Sequence, residues 1–244
     1  MEVLVRTTLL SDGVNDEIID VIERSFKVIS EILNVGEMID ESTNLEDFLS
    51  DLEDYPVKDK IPLDLVEAYT SKMLGKQIIL DDRYDPSDDN KISKLFMVRK
   101  LLGEQLDYLE DELNCEAYFV YTLINDTYYG GMFAFYNKER PDVLFIQGIT
   151  KIFSPSIISI YYPEYDKLLP RLNSLLEPSI ETLAKMLNAD KILVVPIGKQ
   201  GKILKKHYGY RRWTKDIYYP CESIAGYLNV TKGGGRYKAY VKYV

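Results

Sequence analysis

IISIYYPEYDKLLPRLNSLLEPSIETLAKMLNADKILVVPIGKQGKILKKHYGY, residues 157–210, is the stretch on which the fold turns. The β-branched and aromatic run at 156–162 reads as a strand. A charged turn with Pro163 and Pro170 follows it. Leu172, Leu175, Leu176, Ile180, Leu183, Ala184 and Leu187 then recur on one face and predict a helix over 169–187. Pro178 lies inside that pattern, which means a kink or a later start, while Pro170 suits a first helical position. KILVVPI at 191–197 is a nearly continuous apolar strand, expected to be covered on both faces. A Lys-rich helix at about 199–207 ends at Gly209. The unit is thus two strands with a helix wedged between them, and the expectation is that the strands splay apart to leave a cleft.

Working outward, residues 2–9 (EVLVRTTL) read as a first strand, and Ser11-Asp12-Gly13 as a turn. Ile18, Ile19, Val21, Ile22, Phe26, Ile29 and Ile32 predict a helix over 15–34, capped by Asn15 or Asp16 and closed by Gly36. Residues 40–60 and 63–75 read as acidic and short helices, 81–90 as a loop, and 91–113 as another helix. Residues 118–123 and 128–136 are hairpin strands about an Asn125-Asp126 turn. A third strand spans 142–153, and the chain closes with a strand at 237–244 after the flexible Gly233-Gly234-Gly235. The organisation expected is 1–37 for the first strand and helix, 38–113 for an acidic helical insertion, and 114–244 for the remainder with the cleft.

The chain has 244 residues, 46% of them hydrophobic, enough to bury a substantial core. No apolar run has membrane-spanning length and no basic leader precedes the first strand, so a cytoplasmic location without membrane contact is expected. Cys115 and Cys221 form no metal or redox motif and read as free thiols. His207 is the only histidine, which leaves a catalytic triad or a His-based metal site little to draw on. The aspartates at 81–89 lack the central glycine and closing glutamate of a calcium loop, so no metal is expected. Twenty tyrosines against one tryptophan read as half-buried strand residues.

The net charge of −9 hides a polarity. Residues 40–90 hold 15 acidic and 5 basic side chains, a local charge of −10, whereas residues 151–244 hold 16 basic and 7 acidic ones, a local charge of +9. Either the C-terminal half meets an anionic ligand or protein partner through its basic 199–215 segment, or the two regions attract one another. The acidic 40–90 segment is a second candidate surface for a protein partner. The acidic total argues against nucleic-acid binding.

The order of elements resembles the GCN5-related N-acetyltransferases, the GNAT superfamily. That family has a strand, a long helix, a three-strand antiparallel meander, a donor-binding turn, a helix, a strand, a short helix and a last strand. Tyr162-Pro163-Glu164-Tyr165 stands where the family often has V-x-P-x-Y/W-R. Leu175-Leu176, Leu183-Ala184-Lys185 and Asn188-Ala189 are similar to its helix, and KILVVPI to the next strand. His207-Tyr208-Gly209-Tyr210 is similar to its Y-x-x-x-GF terminus. The resemblance implies an α/β fold with a mixed, mostly antiparallel central sheet flanked by helices, here carrying the acidic insertion.

It also implies an acyltransferase that moves an acyl group from acetyl-CoA or another acyl-CoA to an amine. The donor pyrophosphate would lie on the N–H groups of Leu172, Asn173 and Ser174, with Lys167 and Arg171 as side-chain ligands. The backbone of residues 156–161, ending at Tyr161, would orient the acyl arm. Tyr208 or Lys205 would be the acid that meets the leaving thiolate. The sequence departs from the pattern at two places. Residues 164–174 contain no glycine and carry Glu164 and Asp166, which repel phosphate, and Pro170 lacks an N–H. Lys205 occupies the position where many members have tyrosine; it reads equally as part of a solvated basic face. Glu139 and Asp142 read as solvated turn residues and Gln147 as a buried amide, so no strand carboxylate offers itself as a base. These departures keep a second expectation open: a catalytically inactive GNAT-fold protein with a structural, scaffold or assembly role.

Overall fold

A computed structural model describes residues 1–10, 63–81, 83, 115–150, 162–166, 168, 170–196, 200–213 and 239–244. The elements are β1 (Val3–Leu10), α1 (Leu63–Leu74), β2 (Cys115–Ile124), β3 (Thr127–Asn137), β4 (Val143–Thr150), α2 (Pro163–Asp166), α3 (Leu172–Met186), β5 (Lys191–Val194), α4 (Gln200–His207), β6 (Arg211–Arg212) and β7 (Tyr240–Tyr243). The seven strands form one sheet in the order β1-β2-β3-β4-β5-β7-β6. Every pairing is antiparallel except β4 with β5. The fold is therefore a mixed, mostly antiparallel sheet flanked by helices. No helix among the described residues is long and apolar enough to cross a membrane.

The β2–β3 hairpin forms where β-branched and aromatic residues flank Asn125-Asp126. Both turn residues have positive φ, 46° and 57°, which matches the right-handed twist of the strands. Asn125 does more than turn the chain. Its side chain accepts the Glu2 N–H at 2.9 Å and donates to the Met73 carbonyl at 2.7 Å. One residue thereby ties β1 and the end of α1 to the hairpin. Along the meander, Phe119, Tyr121, Phe133 and Phe135 are at most 1% exposed and stack in a continuous row. Gly131 faces that row: a Cβ there would lie 2.8 Å from the Phe119 ring and 2.9 Å from the Tyr121 Cβ.

α3 lies across β1, β2, β3 and β5. It presents Leu172, Leu176, Ile180, Leu183 and Ala184 to the core, as its apolar periodicity requires. Pro178 is tolerated in its interior, and Thr182 Oγ1 donates to the Pro178 carbonyl at 2.9 Å. At the C-terminus Asn188 takes a positive φ of 56°. The Asn188 and Ala189 N–H groups return to the carbonyls of Lys185 and Ala184, a Schellman closure. Ala189 then leads directly into β5, whose first residues hang on Asp142: its carbonyl accepts the N–H groups of Asp190 and Lys191.

The helix over 15–34, the helices over 40–60 and 91–113, and the strand over 156–161 lie outside the described residues, as does most of the acidic insertion. Within it, the expected helix at 63–75 is α1. β5 is shorter than the apolar run, because Val195 and Pro196 leave the strand. Pro170 is not the first helical residue. Arg171, extended at ψ 125°, is the N-cap, and the helix begins one residue later. β6 is a two-residue edge strand with no counterpart in the sequence reading.

Candidate functional site

β4 and β5 pair from Val143↔Lys191 to Ile146↔Val194 and no further. β4 runs on to Thr150, still held by β3 on its other side. Its outer edge at 147–150 therefore has no neighbouring strand among the described residues. A register shift marks the same place. Met132 pairs with Ile149 and Phe133 with Gln147, so Gly148 is an extra residue, a bulge. Unpaired backbone N–H and C=O groups on an open edge, at the carboxyl end of a parallel pair, form a recurrent ligand position in α/β sheets.

The α3 N-terminus lies at this same end. α3 leads back to the start of β5, and the residue before its N-cap, Pro170, is tied to the sheet through β3. A second bulge anchors it. Thr122 pairs with Gly130 and Leu123 with Tyr128, which makes Tyr129 the extra residue of β3. Its hydroxyl donates to the Pro170 carbonyl at 2.7 Å. Tyr129 is two residues from Gly131, which pairs with Thr150, so the anchor and the open edge share one end of the sheet.

Arg171 makes no side-chain cap. Ser174 turns inward to the helix: its N–H and hydroxyl both donate to the Arg171 carbonyl, at 2.9 and 2.6 Å. The N–H groups of Leu172 and Asn173 belong to the first turn, where no intrahelical acceptor exists. Leu172 is buried, whereas the Arg171 side chain is exposed. Tyr161 and Lys167 lie outside the described residues.

Tyr208 and Lys205, both on or beside α4, part company. Gly201 and Leu204 are the buried positions of α4; Lys202, Lys205, Lys206 and His207 are exposed. Lys205 is thus on the solvent side. Tyr208 is half-buried, and Gly209, with φ +75°, turns the chain away after it. Burial, and then the nearby charge of Glu177, raise the Tyr208 pKa, while Arg171 pulls it down.

The sequence reading missed a cluster behind them. Glu177, on α3, is 5% exposed. It accepts from the Tyr210 hydroxyl at 3.3 Å and from Lys242 Nζ at 3.4 Å, and Lys242 also binds Glu181. Burial raises the Glu177 pKa; Lys242 and Tyr210 act against that rise. The Tyr210 phenol is held protonated far above its ordinary range, first by burial and then by Glu177. Helical spacing places Glu177 between Leu176 and Ile180, but nothing local announces partners 33 and 65 residues away.

The acidic turn is also answered from a distance. Glu164 in α2 takes Arg83 Nη2 at 3.2 Å. Asp142 is not merely solvated, as expected; Lys191 Nζ binds its carboxylate at 2.6 Å and holds its pKa below the ordinary carboxylate range.

No protein-family model matches the sequence, and no curated protein matches it. Among solved structures the chain is similar to an acetyltransferase from Streptococcus agalactiae, at 10% identity, covering 98% of each chain with a TM-score of 0.40. It is similar to a probable acetyltransferase from Staphylococcus epidermidis at 10% identity, 99% of each chain and a TM-score of 0.39. It is also similar to a Bacillus subtilis acetyltransferase in complex with CoA, at 15% identity, over 58% of this chain and 84% of that one, with a TM-score of 0.30.

Proposed function

We propose that the protein is a GNAT-like, acyl-CoA-dependent N-acyltransferase with an atypical donor turn. One observation carries the reading: among the described residues the parallel pair β4/β5 ends at Ile146↔Val194 while β4 continues, bulged at Gly148, and Tyr129 of the neighbouring β3 holds the start of α3, which has no side-chain cap, at that end of the sheet. A thioester arm would add to the open edge of β4 as a short strand adds to a sheet. The pyrophosphate would lie on the N–H groups of Leu172 and Asn173, at the positive end of the helix dipole. Arg171 would supply a charge and Lys167 a second one. Ser174, whose hydroxyl is already committed to Arg171, would contribute less than the sequence suggested.

In such a reaction the amine nitrogen attacks the thioester carbon, the C–S bond breaks, the amine loses a proton and the departing sulfur gains one. Tyr208 is the better placed of the two acid candidates. Its raised pKa keeps the phenol protonated at neutral pH. Because a thiolate has a pKa of about 8.5, the phenol would donate a hydrogen bond to the developing sulfur charge and leave much of the proton transfer to solvent. Lys205, on the outer face of α4, would serve an anionic partner or remain solvated.

A second reading, a GNAT-fold protein retained as a scaffold or assembly component, draws on the acidic side chain of Glu164 in the donor turn and on Pro170 before the helix. The thermal midpoint separates the two. Acetyl-CoA at a hundredfold excess over its Kd should raise it by roughly 5–10 °C. A flat response across millimolar acetyl-CoA removes the enzyme reading. Arg171→Glu should abolish the shift without lowering the midpoint of the free protein, since the side chain is exposed and makes no cap.

A further inference from the structure

The segment that follows α1 is fastened to the turn ahead of α3. The Tyr162 hydroxyl donates to the Asp81 carbonyl at 2.6 Å and accepts the Asp81 N–H at 3.1 Å, so one phenol satisfies both backbone groups of one residue. Arg83 lies over the Tyr162 ring, 4.5 Å from its centroid. Its Nε binds both oxygens of Asp81 at 2.7 and 3.0 Å, and its Nη2 reaches Glu164. The segment is held upstream as well. Ser71 exchanges hydrogen bonds with Ile78, and Glu67 accepts the Leu80 N–H. Tyr162 is 0% exposed, whereas the Arg83 and Glu164 side chains are each 48% exposed. A rigid buried clasp thus carries an ion pair that faces water.

Glu164 is one of the two acidic residues, with Asp166, that make this turn inhospitable to phosphate. The cation that answers it comes from the accessory segment and not from the turn. Asp81 fixes the guanidinium from one side, leaving its second edge for Glu164. The planar guanidinium pairs with carboxylate and phosphate alike.

We infer that Arg83 is a specificity-determining residue of the donor turn: it cancels the charge of Glu164, so that a pyrophosphate-bearing carrier is admitted at the start of α3. The accessory segment then supplies the charge that offsets Glu164 in the turn. This inference rests on the acyl-CoA reading above. It also makes a demand that a purely structural clasp does not: the effect of Arg83 on binding must disappear when Glu164 loses its charge.

Calorimetric titration of the full chain with CoA tests it, using the wild type, Arg83→Gln, Glu164→Gln and the double variant, each with its melting temperature recorded. Arg83→Gln should weaken CoA binding by about threefold to tenfold, and Glu164→Gln should tighten it by about twofold to fivefold. The double variant should bind within about twofold of Glu164→Gln. Unchanged binding in Arg83→Gln, or an equal loss in Arg83→Gln and the double variant, overturns the inference and leaves the acyl-CoA reading standing. If the wild type does not bind CoA, both are overturned. Should Arg83→Gln fail to fold, Glu164→Gln decides alone: tighter binding supports the inference, and equal or weaker binding overturns it.

Discussion

Glu177 is a carboxylate buried in the helix that carries the candidate site, and its surroundings set how the protein responds to pH. Burial raises its pKa, and Glu181 adds to the rise; Lys242 and Tyr210 oppose it. A carboxyl whose folded pKa exceeds its unfolded value binds its proton more tightly when folded. Its contribution to stability is complete below the unfolded value, about 4.3, and is lost as pH rises through the folded one. Lys242 faces the carboxyl and favours its charged form against that cost. Lys242→Met therefore leaves an uncompensated buried charge and should cost about 3 kcal/mol at pH 7. The loss should shrink as the pH falls and Glu177 takes a proton. Glu177→Gln keeps an acceptor for Tyr210 and should cost about 1 kcal/mol or less. Urea unfolding of both variants at pH 7 and pH 5 checks this; equal losses for the two at pH 7 would show that Glu177 is not held charged.

The start of α3 is fixed by residues that belong to other elements. Pro170 cannot serve as the first helical residue because its carbonyl is engaged by Tyr129 and Arg171 is extended. The helix itself was legible, since its apolar face recurs over four turns and a Schellman closure needs only Asn188 in the left-handed region. The hairpin was legible for the same kind of reason, through Asn125-Asp126. The bulges at Tyr129 and Gly148 were not, because a bulge is a mismatch between two strands and each strand alone shows only its period. β6, two residues long, has no period to show. Tyr129→Phe isolates one bulge. Losing the hydroxyl leaves the Pro170 carbonyl unpaired, which should lower stability by about 1 kcal/mol and weaken acetyl-CoA binding several-fold by loosening the first turn of α3. A urea midpoint and an acetyl-CoA titration measure the two effects separately; unchanged affinity would assign Tyr129 to the fold alone.

At the scale of the molecule, the mixed, mostly antiparallel sheet is what the resemblance implied, whereas the order β1-β2-β3-β4-β5-β7-β6 and the pairing of β5 with β4 were not part of that reading. The strand expected at 156–161 lies outside the described residues, among which the outer edge of β4 at 147–150 has no neighbouring strand. The candidate site was legible in part. Arg171 was readable from the helix start, where it is the exposed N-cap, and Tyr208 from the Gly209 terminus, where it is half-buried. Arg83, Tyr129, Glu177 and Lys242 were not, because each acts through a partner distant in sequence. The Arg83–Glu164 pair runs against the charge polarity of the chain, since a basic residue of the acidic segment meets an acidic residue of the basic half. Amide hydrogen exchange, with and without acetyl-CoA, reads the proposed cleft directly. Slowed exchange confined to residues 147–150 and 172–174 is the result expected of a donor bound between the β4 edge and the start of α3. Unchanged exchange at both segments, under acetyl-CoA concentrations that saturate binding, would place any ligand elsewhere and remove the cleft as the donor site.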